Sequence, residues 1–288
     1  KSQDSVGEAA PANGTLTFSV TDGINTASAT STFSLLFDTS VANSENTVIF
    51  MRAQGNNVTD RNYTDESDSP HTITFSTSSS ANRSRLQSFT PFAPAGYSTY
   101  FGDNPQYTTE NTKFVKIRNG SRFAFGAPSG NTNDFTIELW VYPTNPGTSH
   151  SNFIFDFRGG STSNAALDLW FNSSGALYLR RGGGGISGIS GTNGKLEFLS
   201  WNHIAVVRHG TNLTFYVNGI QIGQETSSSY DFNYSASGSG DEVYLGRGIP
   251  AAGLSNDGRF VGYMNDFRIV RGSAVYTAEF TPPTVPLE

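Results

Sequence analysis

The stretch Phe135-Thr136-Ile137-Glu138-Leu139-Trp140-Val141-Tyr142-Pro143 decides how this chain folds. Read with period two, Phe135, Ile137, Leu139 and Val141 share one face of a strand, while Thr136, Glu138, Trp140 and Tyr142 share the other. Both faces carry large apolar surface, the pattern of a strand covered on two sides. Further along, Trp201-Asn202-His203-Ile204-Ala205-Val206-Val207-Arg208 opens a second such strand. Thr214-Phe215-Tyr216-Val217-Asn218-Gly219 then runs into Ile220-Gln221-Ile222. An Asn-Gly pair between two alternating runs is the strongest two-residue hairpin signal in the chain. Gly262-Tyr263-Met264-Asn265-Asp266-Phe267-Arg268-Ile269 supplies a fourth apolar strand.

Outward from these four, short strands are predicted over residues 47–51, 71–75, 97–101, 114–117, 122–125, 153–157, 166–171, 176–180, 195–198, 242–246 and 259–270. Gly, Asn and Ser separate them. Residues 56–69 read as a polar, turn-rich segment, 83–96 as a loop packed across a sheet, and 273–279 as the single helical turn. No repeat of about 20–50 residues is visible, which excludes propellers and solenoids. Closely spaced strands with tight turns predict an all-β fold, a two-sheet antiparallel jelly-roll sandwich.

Composition agrees and narrows the classes of function. The chain has 288 residues, 15% charged and 13% aromatic, with 31 Gly and no Cys. Weak charge beside abundant aromatic, Thr and Ser residues suits strands and turns rather than disorder. A net charge of −6 leaves no basic surface for a nucleic-acid partner. No apolar run approaches the ~20 residues of a membrane-spanning helix, so membrane insertion is not expected. Without Cys, disulfides, thiolate zinc sites and Cys nucleophiles are excluded together. The chain starts at Lys1 with neither an initiator Met nor a signal peptide, and is expected to be a piece of a longer protein.

Near the N-terminus, Leu16-Thr17-Phe18-Ser19-Val20 and Phe33-Ser34-Leu35-Leu36 flank an Asp22-Gly23 turn and predict a β-hairpin. Two strands build no core alone. The hairpin therefore either ends an upstream repeat or docks on the residues C-terminal to it. A Ser/Asn-rich linker at 38–46 separates it from the rest, giving an expected division into 1–45 and 46–288.

The four quoted motifs, in this order and spacing, resemble the concanavalin A-like lectin/glucanase superfamily, in its laminin G-like branch. That resemblance covers residues 46–288. The closing Ala274-Val275-Tyr276-Thr277-Ala278-Glu279-Phe280-Thr281-Pro282-Pro283 is similar to tails of such domains in marine bacteriophage structural proteins. Gly14-Thr15-Leu16-Thr17-Phe18-Ser19-Val20-Thr21-Asp22-Gly23 resembles the last strands of bacterial and phage Ig-like or cadherin-like repeats. The superfamily hosts many functions, so activity must be argued from a site.

Glycoside hydrolysis needs paired carboxyls, about 5–5.5 Å apart in retaining enzymes. No Glu-x-Asp-x-x-Glu run occurs. Asp156 and Asp168 have no acid beside them in sequence, Glu138 lacks a following acid, and Asp241 and Glu242 point to opposite faces. His71, His150, His203 and His209 show no metal-ligand spacing, and His203 reads as a buried hydrogen-bonding residue. Gly182-Gly183-Gly184-Gly185 reads as a loop, since no Lys-Ser/Thr or helix comes after it.

Sugar binding needs aromatic faces beside planar polar groups. In Asp168-Leu169-Trp170 and Tyr178-Leu179-Arg180, alternation turns Leu167, Leu169 and Phe171 to the core and leaves Asp168, Trp170, Tyr178 and Arg180 on the outer face. These four are the expected ligand-binding residues. The competing reading packs Trp170 and Tyr178 beneath the glycine-rich loop. Tyr230, Phe232 and Tyr234 form a further expected aromatic strip.

Domains of the resembled branch often hold structural Ca²⁺, with an Asp in the final strand as a ligand. The resemblance implies Asp266 for this role, Asn265 as a further oxygen donor and Asp103 as a third ligand. At Asp103 the order Phe101-Gly102-Asp103 departs from the usual Phe-Asp-Gly. The acid-rich run from Asp60 to Asp68 is a second calcium candidate, opposed by a solvated-loop reading. The expected function is a non-enzymatic carbohydrate-binding or adhesive module of an extracellular or virion protein, a phage tail fibre or appendage that meets host-surface glycan. A purely structural capsid or fibre domain that binds neighbouring subunits is the alternative, and a glycoside hydrolase a distant third.

Overall fold

Period-two alternation becomes strand after strand in the computed structural model, which describes residues 12–35, 46–53, 63–75, 85–87, 89–92, 96–102, 114–118, 120–127, 133–144, 152–158, 166–181, 194–226, 231–232, 242–248 and 259–287. The chain divides into two compact units, one of residues 1–45 with 288, and one of residues 46–287. The first holds β1 (Ala12–Thr21) and β2 (Thr26–Leu35), paired antiparallel without a register shift. Asp22 Oδ1 accepts the Ile24 and Asn25 amides and shapes the turn between them.

The second unit is an antiparallel two-sheet sandwich. Its six-stranded sheet runs, from edge to edge, β12 (Leu177–Arg181), β11 (Leu167–Phe171), β10 (Asn152–Asp156), β16 (Glu242–Leu245), β8 (Val115–Arg118) and β5 (Ile73–Phe75). The larger sheet runs β15 (Ile220–Thr226), β14 (Asn212–Val217), β13 (Asn202–His209), β9 (Phe135–Pro143), β17 (Gly262–Arg271), β3 (Thr47–Ala53) and β4 (Tyr63–Asp65). Two further strands, β6 (Arg85–Gln87) and β7 (Ser98–Phe101), join it through β17.

Between the sheets lies one apolar core. Phe135, Ile137, Leu139 and Val141 of β9 enter it with Leu167, Leu169 and Phe171 of β11 and Leu177 and Leu179 of β12. The alternation of β17 breaks at Asp266, which has φ +48 where the register against β9 shifts. This extra residue puts Met264, Phe267 and Ile269 into the core, where strict alternation would turn Phe267 outward.

The outer face of β9 is also covered, as its sequence requires. Residues after β17 cross it as a strap. Tyr276 and Phe280 stack at 3.6 Å and pack on Ala205, Val207 and Tyr216. Residues 273–279 form no helix; bends at 275 and 277–278 bring both rings together on the sheet. Asn218 (φ +52) and Gly219 (φ +77) make the expected hairpin turn. A Cβ on Gly219 would sit 1.7 Å from the Phe280 carbonyl oxygen, so the strap's close approach also requires glycine there.

Two other expected strands are absent. Residues 120–123 form a 3-10 turn, and around 195 only an isolated bridge from Lys195 to Ala176 forms. The run 182–185, Tyr230, Tyr234, His150 and most of the 38–46 linker lie outside the described residues.

Candidate functional site

A short turn, 172–176, joins β11 to β12, and Asn172 stabilises it by accepting the Ser174 and Ala176 amides on its Oδ1. The resulting register sets Asp168 opposite Arg180 and Trp170 opposite Tyr178. The four residues expected from alternation therefore meet on the outer face of the six-stranded sheet. Trp170 and Tyr178 stack with centroids 4.1 Å apart and planes 10° from parallel. Each ring spends one face on the other. Phe153 flanks the far side of Trp170 at 6.4 Å, while Tyr178 stands on the edge strand. The pair thus offers a joint rim and the outer side of Tyr178, rather than two separate platforms. Both rings are half-buried, and Asn172 Nδ2 donates to the Tyr178 hydroxyl at 3.2 Å.

Asp168 differs from its expected role. It sits on the outer face but is fully buried, and Oδ2 receives Arg180 Nε at 3.0 Å and Nη2 at 2.9 Å. Arg158 Nε approaches the same oxygen at 2.9 Å. Arg158 also grips Asp156 through Nε at 2.9 Å and Nη2 at 2.6 Å. Asp156 stands directly opposite Asp168 across β10 and β11. Two acids with no acidic neighbours in sequence are therefore brought face to face, with an arginine between them. Burial, then the charge of Asp156, raise the Asp168 pKa to about 6 against the pull of Arg158 and Arg180. Asp168 acts on a ligand only through Arg180, whose side chain is 39% exposed. Nη1 of Arg180 takes no part in the grip on Asp168. Among the described residues, Asp168 Oδ1 and Trp170 Nε1 in the site are buried and find no hydrogen-bond partner.

The other sheet carries a polar cluster that sequence reasoning finds only in part. Glu138, fully buried, accepts His203 Nε2 at 3.2 Å, Arg268 Nε at 2.8 Å and the Tyr276 hydroxyl at 2.7 Å. His203 is thus a buried hydrogen-bonding residue, as its sequence context predicts. Burial alone would raise the Glu138 pKa, but the His203 hydrogen bond, the Arg268 charge and Tyr276 hold it at about 2. The cluster pins the strap to the sheet, with Glu138, His203 and Arg268 buried and Tyr276 half-buried above them.

Of the three residues the resemblance implies for calcium, Asn265 and Asp266 are described, and one side-chain oxygen of each serves a protein amide. Asn265 Oδ1 accepts the Asp266 amide, and Asp266 Oδ2 accepts the Leu287 amide at 2.7 Å. Burial raises the Asp266 pKa to about 7. Among the described residues no group of three His, Cys, Asp or Glu is placed to hold a metal ion. Asp103 lies outside the described residues. In the second candidate run, Asp65 is buried rather than solvated. Its oxygens take the Phe50, Ser67 and His71 amides and the His71 ring, so it closes a turn. Phe232, expected on an exposed strip, is fully buried against Phe135.

Residues 118–275 match a family model described as the concanavalin A-like lectin/glucanases superfamily. The structure of the botulinum neurotoxin serotype C1 binding domain is similar at TM-score 0.50 and 11% identity, over 81% of this chain and 50% of that one. This chain therefore spans about half the length of that domain. Domain 4 of AbnA, an extracellular GH43 arabinanase from Geobacillus stearothermophilus solved with arabinotriose, is similar at TM-score 0.51 and 16% identity, over 80% of this chain and 94% of that one. At such identities the likeness is one of fold. No curated protein sequence matches the chain.

Proposed function

Given that the chain belongs to the concanavalin A-like lectin/glucanases superfamily, we propose that it is a non-enzymatic carbohydrate-binding module. Its site is the outer face of the six-stranded sheet around Trp170, Tyr178 and Arg180. The observation that carries this reading is the cross-strand register, which lays Trp170 on Tyr178 beside an arginine held by a buried carboxylate. The ring pair offers apolar contact to the C–H face of a sugar, and the exposed Arg180 donates to its hydroxyl or acidic oxygens. Asp168 positions Arg180 and so lowers the entropy that side chain loses on binding. The arabinanase domain of similar fold was solved with a bound oligosaccharide, which supports the same class of ligand.

Hydrolysis is disfavoured by the same geometry. Asp156 and Asp168 are both fully buried and share Arg158, so this pair has no open flank for a glycosidic bond. The similarity of residues 274–283 to tails in phage structural proteins supports a home in a virion or extracellular appendage, such as a tail fibre meeting host glycan. Repetition in such an assembly would raise weak single-site affinity. The second reading, a structural domain that binds neighbouring subunits, is favoured by the exposed Phe18 and Val20 on the hairpin. Calcium at Asp266, Asn265 and Asp103 is proposed by family resemblance alone.

A glycan array probed with the whole chain tests the reading. Saturable binding to a sugar class, lost in Trp170→Ala, supports it. A blank array favours the structural role, and release of reducing ends from polysaccharide would revive the hydrolase.

A further inference from the structure

We propose that the saccharide held at Trp170, Tyr178 and Arg180 is an acidic one, and that Arg180 selects it by gripping a sugar carboxylate through the outer end of its guanidinium. This deepens the carbohydrate-binding reading above and rests on it.

The anchoring of Arg180 decides which of its donors a ligand can meet. Asp168 Oδ2 accepts Nε at 3.0 Å and Nη2 at 2.9 Å, so the carboxylate occupies the side edge of the planar group. Arginine N–H donors form a rigid fork. With the side edge taken, a parallel pair remains at the far end, one N–H on Nη1 and one on Nη2. Among the described residues Nη1 makes no hydrogen bond, and it is not one of the buried atoms. The Asp168 side chain is fully buried and that of Arg180 39% exposed, on the edge strand β12. Asp168 thus fixes the fork and leaves its end to solvent.

Charge points the same way. Arg158 holds Asp156 through Nε and Nη2, and approaches Asp168 Oδ2 besides. Among the described residues Arg180 has that same oxygen as its only acidic partner. One carboxylate oxygen is therefore divided between two cations, and Arg180 is the less neutralised of them. A sugar hydroxyl offers this end one uncharged oxygen. A carboxylate offers two coplanar oxygens that match the parallel N–H pair, in hydrogen bonds strengthened by charge. Tyr178 sets the reach, since it precedes Arg180 by two residues on the same face, about 7 Å along the strand. A pyranose lying against the Tyr178 ring brings a carboxylate carried directly on its own ring toward Arg180, the arrangement of a uronic acid.

The test is an array of uronic-acid oligosaccharides printed beside their methyl esters, with neutral and with sulfated, carboxylate-free oligosaccharides on the same surface. The ester keeps the sugar and removes the charge, so the comparison uses the wild-type chain and no folding defect can imitate it. The wild type is expected to bind an acidic oligosaccharide at least about tenfold more tightly than its ester. Arg180→Gln is expected to bind acid and ester alike, and Arg180→Lys, which keeps the charge without the fork, to lose most of the preference. Acid and ester bound within about threefold of each other by the wild type, or binding confined to neutral or sulfated sugars, overturns this inference and leaves the carbohydrate reading standing. So does an Arg180→Gln variant that keeps the wild-type preference. An array blank in every class overturns that reading, and the inference falls with it.

Discussion

Glu138→Gln removes the one charge at the centre of the buried cluster beneath the strap while keeping its shape. In the folded protein Glu138 titrates at about 2, against an ordinary 4.5. That interval, at about 1.4 kcal/mol per pH unit, is about 3 kcal/mol of stability. Because the folded-state pKa is depressed, this stability is fully present above pH 4.5 and is lost as the pH falls toward 2. Glutamine also leaves Arg268 facing a neutral amide at the site where Nη2 now meets Oε1 at 2.6 Å. Removing one partner of a buried pair costs about 3–5 kcal/mol. Urea unfolding followed by tryptophan fluorescence is well placed to read this, because Trp140 lies 5.1 Å from His203. The variant should lose about 3–5 kcal/mol at pH 7, and its stability should change less than that of the wild type between pH 4.5 and 2. A variant within about 1 kcal/mol of wild type at pH 7, with an unchanged acid limb, would refute the reasoning.

Other buried groups set further outcomes. Asp168 and Asp266 titrate at about 6 and about 7 in the folded protein, above their ordinary 3.8, so the folded state holds protons the unfolded chain has released. Their contributions are fully present below about pH 4 and are lost as the pH rises through those values. The wild type should therefore unfold more easily at pH 7.5 than at pH 4.5, and Asp266→Asn should flatten that difference; an Asp266→Asn profile parallel to wild type would contradict it. Gly219→Ala places a Cβ against the Phe280 carbonyl at a residue with φ +77, and should cost at least about 2 kcal/mol in urea unfolding. A neutral substitution there would mean the strap does not lie on the turn. A calcium chelator tests the proposed calcium at Asp266 and Asn265: it should lower the melting midpoint by several degrees, and an unchanged midpoint would sink that proposal.

The parts legible in sequence are those governed by local periodicity. Alternation in 167–171 and 177–181, with a turn of a few residues between, is enough to set Trp170 over Tyr178 and Asp168 beside Arg180. Asn218-Gly219 announces its own turn. What stays hidden depends on groups that arrive from elsewhere in the chain. Asp168 is buried because Arg158 reaches it from the end of β10, a contact no local pattern encodes. Phe267 faces the core only because Asp266 adds a residue to the strand. The strap after β17 reads as a helical turn in sequence because nothing in its own residues reveals Glu138 and Gly219 as its partners. Glu138 itself has no acid after it in sequence, and its three partners lie 65, 130 and 138 residues away.

The central claim is that sugar is held at the Trp170–Tyr178 stack and Arg180. Isothermal titration of the oligosaccharide selected by the array, with wild type, Trp170→Ala, Arg180→Ala and Phe89→Ala, tests it most directly. Phe89 packs on Trp201 and Tyr142 against the other sheet and serves as the control. The account predicts that Trp170→Ala and Arg180→Ala each weaken binding at least about tenfold while Phe89→Ala leaves it unchanged. Wild-type affinity in Trp170→Ala and Arg180→Ala would contradict it.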